Sequence, residues 1–237
     1  MGAGLLGVGQ VLMEILFPGR CLLCGEWLVP DLSARVPLCA GCSDSVKRPE
    51  GPACSRCGVG LISEHGICTR CREADYLFES NCALFPYTGD ARRLLQALKF
   101  GGRLRLATFF ADHAARALGH IIREMPIVPV PARPGRKTPD PVGKVCQRLS
   151  SEHGATVLNL LERTGGAQQK TLDLRQRRDN LMGRIRLAHG VEPASIPQRV
   201  IVLDDVFTTG ATIDACARVL AGAGCSSVRS LTLVIEE

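Results

Sequence analysis

Apolar residues recur along this chain with two different periods, and the change of period predicts an α/β domain in its larger, C-terminal part. Short apolar runs of strand length alternate there with stretches whose apolar residues recur at helical spacing. Strands are predicted at 82–87, 127–130, 156–161, 185–188, 200–203 and 227–234, and helices at 90–100, 104–122, 141–153 and 213–221. This alternation is typical of β-α-β units that build a parallel sheet.

The first 80 residues follow neither period and contain paired cysteines instead. Residues 1–17 are moderately apolar and predict a short helix without a basic leader. Four C-x-x-C pairs follow, separated by glycine, proline and polar residues. We therefore predict two domains, an N-terminal helix with a cysteine-rich segment at 1–80 and the α/β domain at 81–237.

The cysteine spacing predicts two structural zinc sites. Each pair can present two thiolates to one metal, and two pairs complete the tetrahedral set that zinc prefers. The spacing also allows an interleaved arrangement, but we expect pairing in chain order. That order gives one site from Cys21, Cys24, Cys39 and Cys42 and a second from Cys54, Cys57, Cys68 and Cys71. Such closed sites serve folding rather than catalysis, because a short loop-rich segment buries little apolar surface.

Composition is that of a soluble globular protein, with 46% apolar and 22% charged residues. No apolar run is long enough to span a membrane, so we expect a cytoplasmic protein without membrane insertion. Cysteines stay reduced in that compartment, which favours zinc binding over disulfides. The aromatic fraction of 4% is low for a surface that stacks nucleic-acid bases.

The positive charge is concentrated in the predicted α/β domain. Residues 1–80 contain seven Lys and Arg and nine Asp and Glu, a balance of −2, whereas the whole chain carries +6. Residues 81–237 therefore carry +8. This distribution argues against the cysteine segment as an electrostatic nucleic-acid binder and favours a positive field around an anion site in the second domain.

The stretch from Val200 to Thr212 contains the densest functional chemistry of the sequence. Four apolar residues predict a buried strand, Asp204 and Asp205 follow it, and a loop of threonines and glycine leads into the next predicted helix. A loop at a helix N-terminus offers backbone N–H groups, hydroxyls and the positive end of the dipole to a phosphate monoester. The carboxylates suit vicinal hydroxyls, or a magnesium ion reached through water. Together these groups predict a site for a phosphorylated ribose such as 5-phosphoribosyl-1-pyrophosphate.

Two other interpretations fit this stretch less well. Apolar residues before Asp-Asp also resemble a Walker B strand, but the nearest candidate phosphate loop, at 143–145, lacks the following Ser or Thr and the earlier glycine. An ordinary strand-turn-helix unit can use aspartates as helix caps. Capping alone needs fewer polar groups than this stretch contains.

Two basic segments can complete the anion site. Residues 131–137 follow a predicted strand and include Arg133, Arg136 and Lys137, which can hold a pyrophosphate at the carboxyl edge of the sheet. Residues 163–183 are polar and basic, and we interpret them as a flap that closes on an anionic ligand through Lys170 and Arg178. For both segments, a solvated basic surface is the alternative that the sequence leaves open.

Residues 200–212 resemble the phosphoribosyl-pyrophosphate signature of type I phosphoribosyltransferases. The resemblance implies that the ribose hydroxyls bind Asp204 and Asp205. It also implies that the 5-phosphate binds the loop formed by Thr208, Thr209, Gly210, Ala211 and Thr212.

Several separated features, in their order along the chain, are similar to those of ComF-like competence proteins. They are residues 16–18, the four cysteine pairs, 98–103, 128–131, the tract 168–180 and the 200–212 signature. The resemblance implies an α/β fold with a type I phosphoribosyltransferase-like central parallel sheet and helices on both faces, preceded by a small double zinc ribbon. One departure is Asp-Pro-Val-Gly-Lys at 140–144, where the family usually carries Arg-Gly-Phe-Asn-Gln.

The same resemblance implies phosphoribosyl-pyrophosphate with magnesium as the ligand and an accessory role in DNA uptake and natural transformation. In that role the protein handles single-stranded DNA beside DNA-uptake and recombination proteins. The alternative is an active phosphoribosyltransferase that transfers phosphoribose to an unknown base or amine and releases pyrophosphate. Such a displacement requires no protein nucleophile, and no catalytic residue is assigned. A regulatory sensor of phosphoribosyl-pyrophosphate is a third hypothesis.

Overall fold

The computed structural model describes residues 19–28, 36–48, 50–62, 66–136, 138–165 and 184–236. The helix predicted at 1–17 lies outside these residues. Four parallel strands form the central sheet: β1 (Asn81–Pro86), β2 (Ile127–Pro129), β5 (Arg199–Phe207) and β6 (Ser227–Ile235). Their order across the sheet is β1-β6-β5-β2. A separate antiparallel pair consists of β3 (Leu161–Arg163) and β4 (Ile185–Leu187).

Seven α-helices lie within the described residues. They are α1 (Ala40–Ser45), α2 (Thr69–Glu73), α3 (Gly89–Lys99), α4 (Leu106–Leu118), α5 (Ile121–Glu124), α6 (Pro141–His153) and α7 (Ala211–Gly222), with a 3-10 turn at Pro193–Ser195. In this part of the chain, no helix combines the length and the hydrophobicity that crossing a membrane requires.

The centre of the sheet is apolar on both faces. Residues 200–203 of β5 are each at most 1% exposed, and Val202 pairs with Val128 on one side and Ser230 on the other. Strands covered on both faces read as continuous apolar runs, which explains the strand signal at 200–203. The strand extends beyond that run to Phe207, because it stays paired with β6 as far as Ile235.

The two faces of the sheet are covered by different elements. Helices α3, α4 and α6 pack on one face, together with Cys21 and Leu38 of the first cysteine segment (residues 19–28 and 36–48). Helix α7 packs on the other face, together with Cys57 and Cys71 of the second cysteine segment (residues 50–62 and 66–73). Since the cysteine segments share both cores with the sheet, the domain division at residue 80 stays a prediction.

The predicted helix at 104–122 is wrong in one respect, because two helices occupy it. Helix α4 ends at Leu118 and α5 begins at Ile121. Gly119 separates them at a φ of +56°, a conformation that glycine adopts without strain. The break lets the chain turn from α4 toward β2.

The predictions for 156–165 also need correction. The strand expected at 156–161 is reduced to an isolated bridge between Val157 and Ile127, and β3 begins only at Leu161. Arg163, interpreted as the start of a polar flap, is the last residue of β3. The remaining flap residues, from 166 to 183, lie outside the described part of the chain.

Residues 140–144, which depart from the ComF pattern, begin a helix. Asp140 caps α6: its Oδ1 accepts a hydrogen bond from Val142 N at 3.2 Å and its Oδ2 accepts one from Gly143 N at 3.0 Å. Pro141 occupies the first turn, where its missing N–H leaves no bond unmade. The departure thus has a local structural explanation.

Candidate functional site

Asp204 and Asp205 lie near the carboxyl end of β5. The backbone N–H of Asp205 donates a 2.8 Å hydrogen bond to Asp204 Oδ1, which holds the first carboxylate against the main chain. Lys99, the last residue of α3, places its Nζ 2.8 Å from Asp205 Oδ2. Two carboxylates and one ammonium group therefore meet at this edge of the sheet.

The protonation of Asp204 is shifted by this environment. Burial raises the pKa of Asp204 to about 7, and the charge of Asp205 acts in the same direction. The hydrogen bond from Asp205 N and the positive charges of Lys99 and Arg163 lower this pKa without cancelling the effect. Asp204 therefore titrates near neutral pH, as groups in ligand sites often do.

The loop after β5 turns sharply into α7. Gly210 caps the helix at φ +76° and ψ −4°, and a Cβ at this position would lie 2.9 Å from Phe207 Cζ. Both facts explain why glycine occupies the position. Thr208 and Thr209 are exposed beside it, and the Thr209 hydroxyl accepts a 3.4 Å hydrogen bond from Ala211 N at the positive end of the 12-residue helix.

The seven residues predicted to bind a phosphoribosyl group lie within one strand-loop-helix unit, which runs from the end of β5 through the loop into the first turn of α7. They are Asp204, Asp205, Thr208, Thr209, Gly210, Ala211 and Thr212. A helix N-terminus, which can bind an anion, therefore lies next to two carboxyl groups, which can accept hydrogen bonds from hydroxyls, at the edge where parallel sheets bind ligands.

Five basic residues were predicted to complete the anion site, and two of them lie in the described part of the chain. Val130 N donates to Leu203 O at 2.9 Å, so the loop carrying Arg133 starts beside β5. Arg136 turns back on its own loop, where Nε donates to Thr138 O at 3.2 Å and to Oγ1 at 3.0 Å. Three further predicted residues lie outside the described part of the chain: Lys137, Lys170 and Arg178.

Arg163 is a basic group near the acid pair that the sequence did not single out as a ligand residue. Burial lowers the pKa of Arg163, the charge of Arg133 lowers it further, and the charge of Asp204 raises it. Both guanidinium groups therefore act on the same region as the carboxylate. A half-buried arginine with an exposed one nearby suits an oxyanion with several charges. The pairing of β3 with β4 positions Arg163 near Asp204. No local sequence pattern predicts that pairing.

Lys99 is the second residue that sequence reasoning missed. It lies in the 98–103 turn, which carried the ComF resemblance but no assigned chemistry. Its contact with Asp205 depends on the packing of α3 against the sheet, which a local pattern does not specify. A basic residue at the end of a helix next to a glycine turn was the available signal.

The eight paired cysteines form two clusters within the described residues. In each cluster the four sulfurs lie within 4.8 Å of one another, and the clusters combine the pairs in chain order. Cys24 Sγ lies 3.8 Å from Cys39 Sγ in the first, and Cys57 Sγ lies 3.7 Å from Cys68 Sγ in the second. A tetrahedral zinc ion with Zn–S bonds of about 2.3 Å requires sulfurs about 3.8 Å apart. The clusters therefore fit two zinc ions, and the predicted sequential pairing is confirmed.

The two clusters repeat one local structure. Each starts with a turn in which the glycine after the second cysteine donates back to the first cysteine's carbonyl, at 2.9 Å for Gly25 and 2.8 Å for Gly58. The φ angles of these glycines are +78° and +79°. Each cluster ends where a short helix begins, with Cys39 as the N-cap of α1 and Cys68 as the N-cap of α2. This repetition is what a double metal-binding segment requires.

The thiols of the second cluster have the chemistry of metal ligands. Burial raises the pKa of the Cys54 thiol, but backbone N–H groups, including Cys57 N at 3.5 Å and Cys68 N at 3.4 Å, bring it down to about 6. Burial and the neighbouring Cys54 sulfur raise the pKa of Cys57 to about 12. Thiols whose pKa values are separated in this way fit a divalent cation, which would stabilise them as thiolates.

Comparisons with known proteins agree with both parts of the chain. Residues 12–72 match the double zinc ribbon domain family. The chain is 25% identical over 231 residues to competence protein ComFC of Streptococcus pneumoniae, covering 91% of this chain and 99% of that protein. It is 28% identical over 224 residues to the DNA utilization protein YhgH of Escherichia coli K12, covering 90% and 95%. It is also 24% identical over 237 residues to ComFC of Bacillus subtilis, covering 90% and 94%. The chain is therefore similar to these competence and DNA utilization proteins over most of its length.

Two solved structures superimpose loosely on part of the chain. A hypoxanthine phosphoribosyltransferase from Staphylococcus aureus superimposes with a TM-score of 0.36 and 13% identity, covering 56% of this chain and 64% of that chain. An orotate phosphoribosyltransferase from Aeropyrum pernix superimposes with a TM-score of 0.34 and 20% identity, covering 61% of this chain and 64% of that chain. These superpositions are too loose to carry an argument. The predicted fold class is confirmed by the parallel sheet, the helices on both faces and the two cysteine clusters.

Proposed function

We propose that the chain binds 5-phosphoribosyl-1-pyrophosphate with magnesium at the connection from β5 to α7. The observation that carries this proposal is the position of Asp204 and Asp205 directly before a glycine-capped loop at a helix N-terminus. The acid pair suits the vicinal ribose hydroxyls, because carboxyl oxygens accept hydrogen bonds from them. The loop suits the 5-phosphate.

Magnesium and the diphosphate are assigned by the chemistry of the surrounding groups. The oxygens of Asp204 and Asp205 are ligands that magnesium accepts, directly or through water. Bound there, magnesium would supply charge neutralisation for the diphosphate. Arg163 adds positive charge close enough to lower the pKa of Asp204, and Arg133 lies close enough to Arg163 to lower the pKa of that arginine. Fixing the ribose between the loop and these arginines is the main task left to the protein.

The role of this ligand site is inferred from the relatives, whose names refer to competence and DNA utilization. We infer an accessory role in DNA uptake, with single-stranded DNA and uptake or recombination proteins as partners. The +8 charge of residues 81–237 supports contact with a phosphate backbone. Phe100, which follows Lys99 and is 73% exposed, offers a ring on which a base can stack.

Titration calorimetry of magnesium phosphoribosyl-pyrophosphate into the zinc-loaded chain tests the ligand. We expect saturable binding that the Asp204→Ala/Asp205→Ala double variant loses. Asp90→Ala is the matched control, because its carboxylate pairs with Arg93 on the exposed side of α3. A folded wild-type chain that does not bind the ligand would refute the assignment.

Fluorescence anisotropy with a labelled oligonucleotide tests the DNA role. We expect single-stranded DNA to bind with an affinity that falls steeply as salt rises, and Phe100→Ala to weaken binding about fivefold to hundredfold. Leu77→Ala is the control, since Leu77 is also an exposed apolar residue, at 44%. Equal weakening by both substitutions, or no binding at all, would contradict the role.

A phosphoribosyltransferase is the second candidate function. The near-neutral pKa of Asp204 next to Asp205, which pairs with Lys99, favours it, because catalytic sites often contain such shifted groups. In this reaction an acceptor nitrogen forms a bond to the ribose anomeric carbon while the bond to the diphosphate breaks. Pyrophosphate release that requires an added base or amine, and that the double aspartate variant lacks, would support the enzyme. Binding without release would support the accessory role.

A further inference from the structure

Two side chains connect the second cysteine segment and the residues just after it to the loop at 208–212, which is the proposed phosphate loop. Arg70 immediately precedes Cys71, and its Nη1 donates a 2.5 Å hydrogen bond to Thr208 O. Tyr76 follows the segment and donates from Oη to Thr209 O at 2.6 Å. Two consecutive loop carbonyls are thus held by side chains that lie 138 and 133 positions earlier in the chain.

Holding a carbonyl also orients the N–H group of the same peptide. In a trans peptide the C=O and the N–H point in opposite directions, and none of the described peptides is cis. With Thr208 O turned toward Arg70, the N–H of Thr209 points away from that side chain. With Thr209 O turned toward Tyr76, the N–H of Gly210 likewise points away. Among the residues that the structure describes, neither N–H has a hydrogen-bond partner, so both are available to an anion.

Tyr76 is itself held between the second cysteine segment and α7. Arg56, from the third cysteine pair, donates through Nη2 to the carbonyls of Tyr76 and Phe78. Asp214 of α7 is fully buried and accepts a 2.8 Å hydrogen bond from Leu77 N. The rings of Tyr76 and Phe78 stack with a centroid distance of 4.8 Å. The tyrosine hydroxyl is therefore presented to the loop from a fixed position.

We propose that Arg70 and Tyr76 are positioning residues of the phosphate loop. In this proposal the second cysteine segment holds the loop in the conformation that binds phosphate. The proposal rests on the phosphate site described under the proposed function. Because Arg70 is adjacent to Cys71, a metal held by the second cluster would restrain the backbone from which the Arg70 side chain extends. The first cysteine segment contacts α3 instead, where Arg93 Nη2 donates to Leu22 O at 3.4 Å.

Ribose 5-phosphate and magnesium pyrophosphate probe the two halves of the site separately. By calorimetry we expect Tyr76→Phe, which removes one hydroxyl, and Arg70→Met each to weaken ribose 5-phosphate binding about threefold to tenfold. Magnesium pyrophosphate binding should stay unchanged. Arg70→Lys should recover part of the affinity, because the ammonium can still donate to Thr208 O. Arg93→Met is the matched control, an arginine that contacts the first segment rather than the loop.

Amide spectra and zinc content distinguish positioning from general damage. In Tyr76→Phe we expect the backbone amide signals of Thr209 and Gly210 to shift while the zinc content matches the wild type. Unchanged ribose 5-phosphate affinity in both Tyr76→Phe and Arg70→Met would overturn the positioning role. A parallel loss of magnesium pyrophosphate binding in these variants would overturn it as well. A folded wild-type chain that binds no ribose 5-phosphate would refute the proposed phosphate site itself.

Discussion

Lys99 Nζ and Asp205 Oδ2 form a 2.8 Å ion pair between the end of α3 and the end of β5, with side-chain exposures of only 17% and 21%. The ammonium group compensates two neighbouring carboxylates, one of which, Asp204, already resists ionisation. A ribose hydroxyl or a magnesium ion that reaches Asp205 has to share it with Lys99. The proposed ligand binding would thereby be linked to the 98–103 turn.

Lys99→Met should destabilise the free protein at neutral and higher pH. Without the ammonium, the mostly buried Asp205 and its neighbour Asp204 lose their nearest cation, and we expect the free energy of unfolding to fall by about 1–3 kcal/mol. Urea unfolding measures the change. Arg186→Met is the control, because it breaks an exposed ion pair with Glu162 and should cost at most about 0.5 kcal/mol. Equal losses in the two variants would contradict the compensating role of Lys99.

Asp204 should make the protein less stable as the pH rises. Its pKa is raised from 3.8 to about 7 in the folded chain, so the folded state holds this proton more tightly than the unfolded state does. The resulting stabilisation is complete below about pH 4 and is lost as the pH rises through about 7. Asp204→Asn removes this dependence. We expect the stability difference between wild type and variant to change by about 1–3 kcal/mol between pH 5 and pH 8 in urea unfolding. A pH-independent difference would contradict the shift.

Zinc should leave the two cysteine clusters at different rates. The first cluster contains the exposed Cys24, whereas all four cysteines of the second are buried. We therefore expect a chelator to release two zinc ions per chain in two phases, followed with a colorimetric zinc indicator. Cys24→Ser should abolish the fast phase and Cys57→Ser the slow one. A single phase, or one zinc ion per chain, would be inconsistent with two separate sites.

Gly210→Ala should damage the phosphate loop and the fold together. The substitution introduces a Cβ 2.9 Å from the Phe207 ring at a φ of +76°, and we expect it to lower the free energy of unfolding by about 1–3 kcal/mol. Ribose 5-phosphate binding should weaken as well. Gly222→Ala, in the same helix, is the control, because its Cβ would meet open space and should change stability by at most about 0.5 kcal/mol. Similar losses in thermal unfolding of the two variants would argue against a special loop conformation.

By itself, the sequence determined the features whose signals are local. The continuous apolar run at 200–203 predicted a strand covered on both faces, and the residues from Asp204 to Thr212 predicted a strand-loop-helix anion site. Cysteine pairs at fixed spacing predicted two metal clusters. Each of these signals depends only on neighbouring residues, since strand period, helix capping and knuckle spacing are properties of short segments.

Only the tertiary structure decided which distant groups complete the site. Lys99 reaches Asp205, Arg70 reaches Thr208 and Tyr76 reaches Thr209 because α3 packs on one face of the sheet while the second cysteine segment packs on the other. Which face an element covers depends on the summed burial of many side chains and on strand order, and no residue pattern within a segment encodes it. For this reason the sequence predicted the loop proposed to bind phosphate and the cysteines of the two clusters, whereas the packing decided which distant side chains contact that loop and the acid pair.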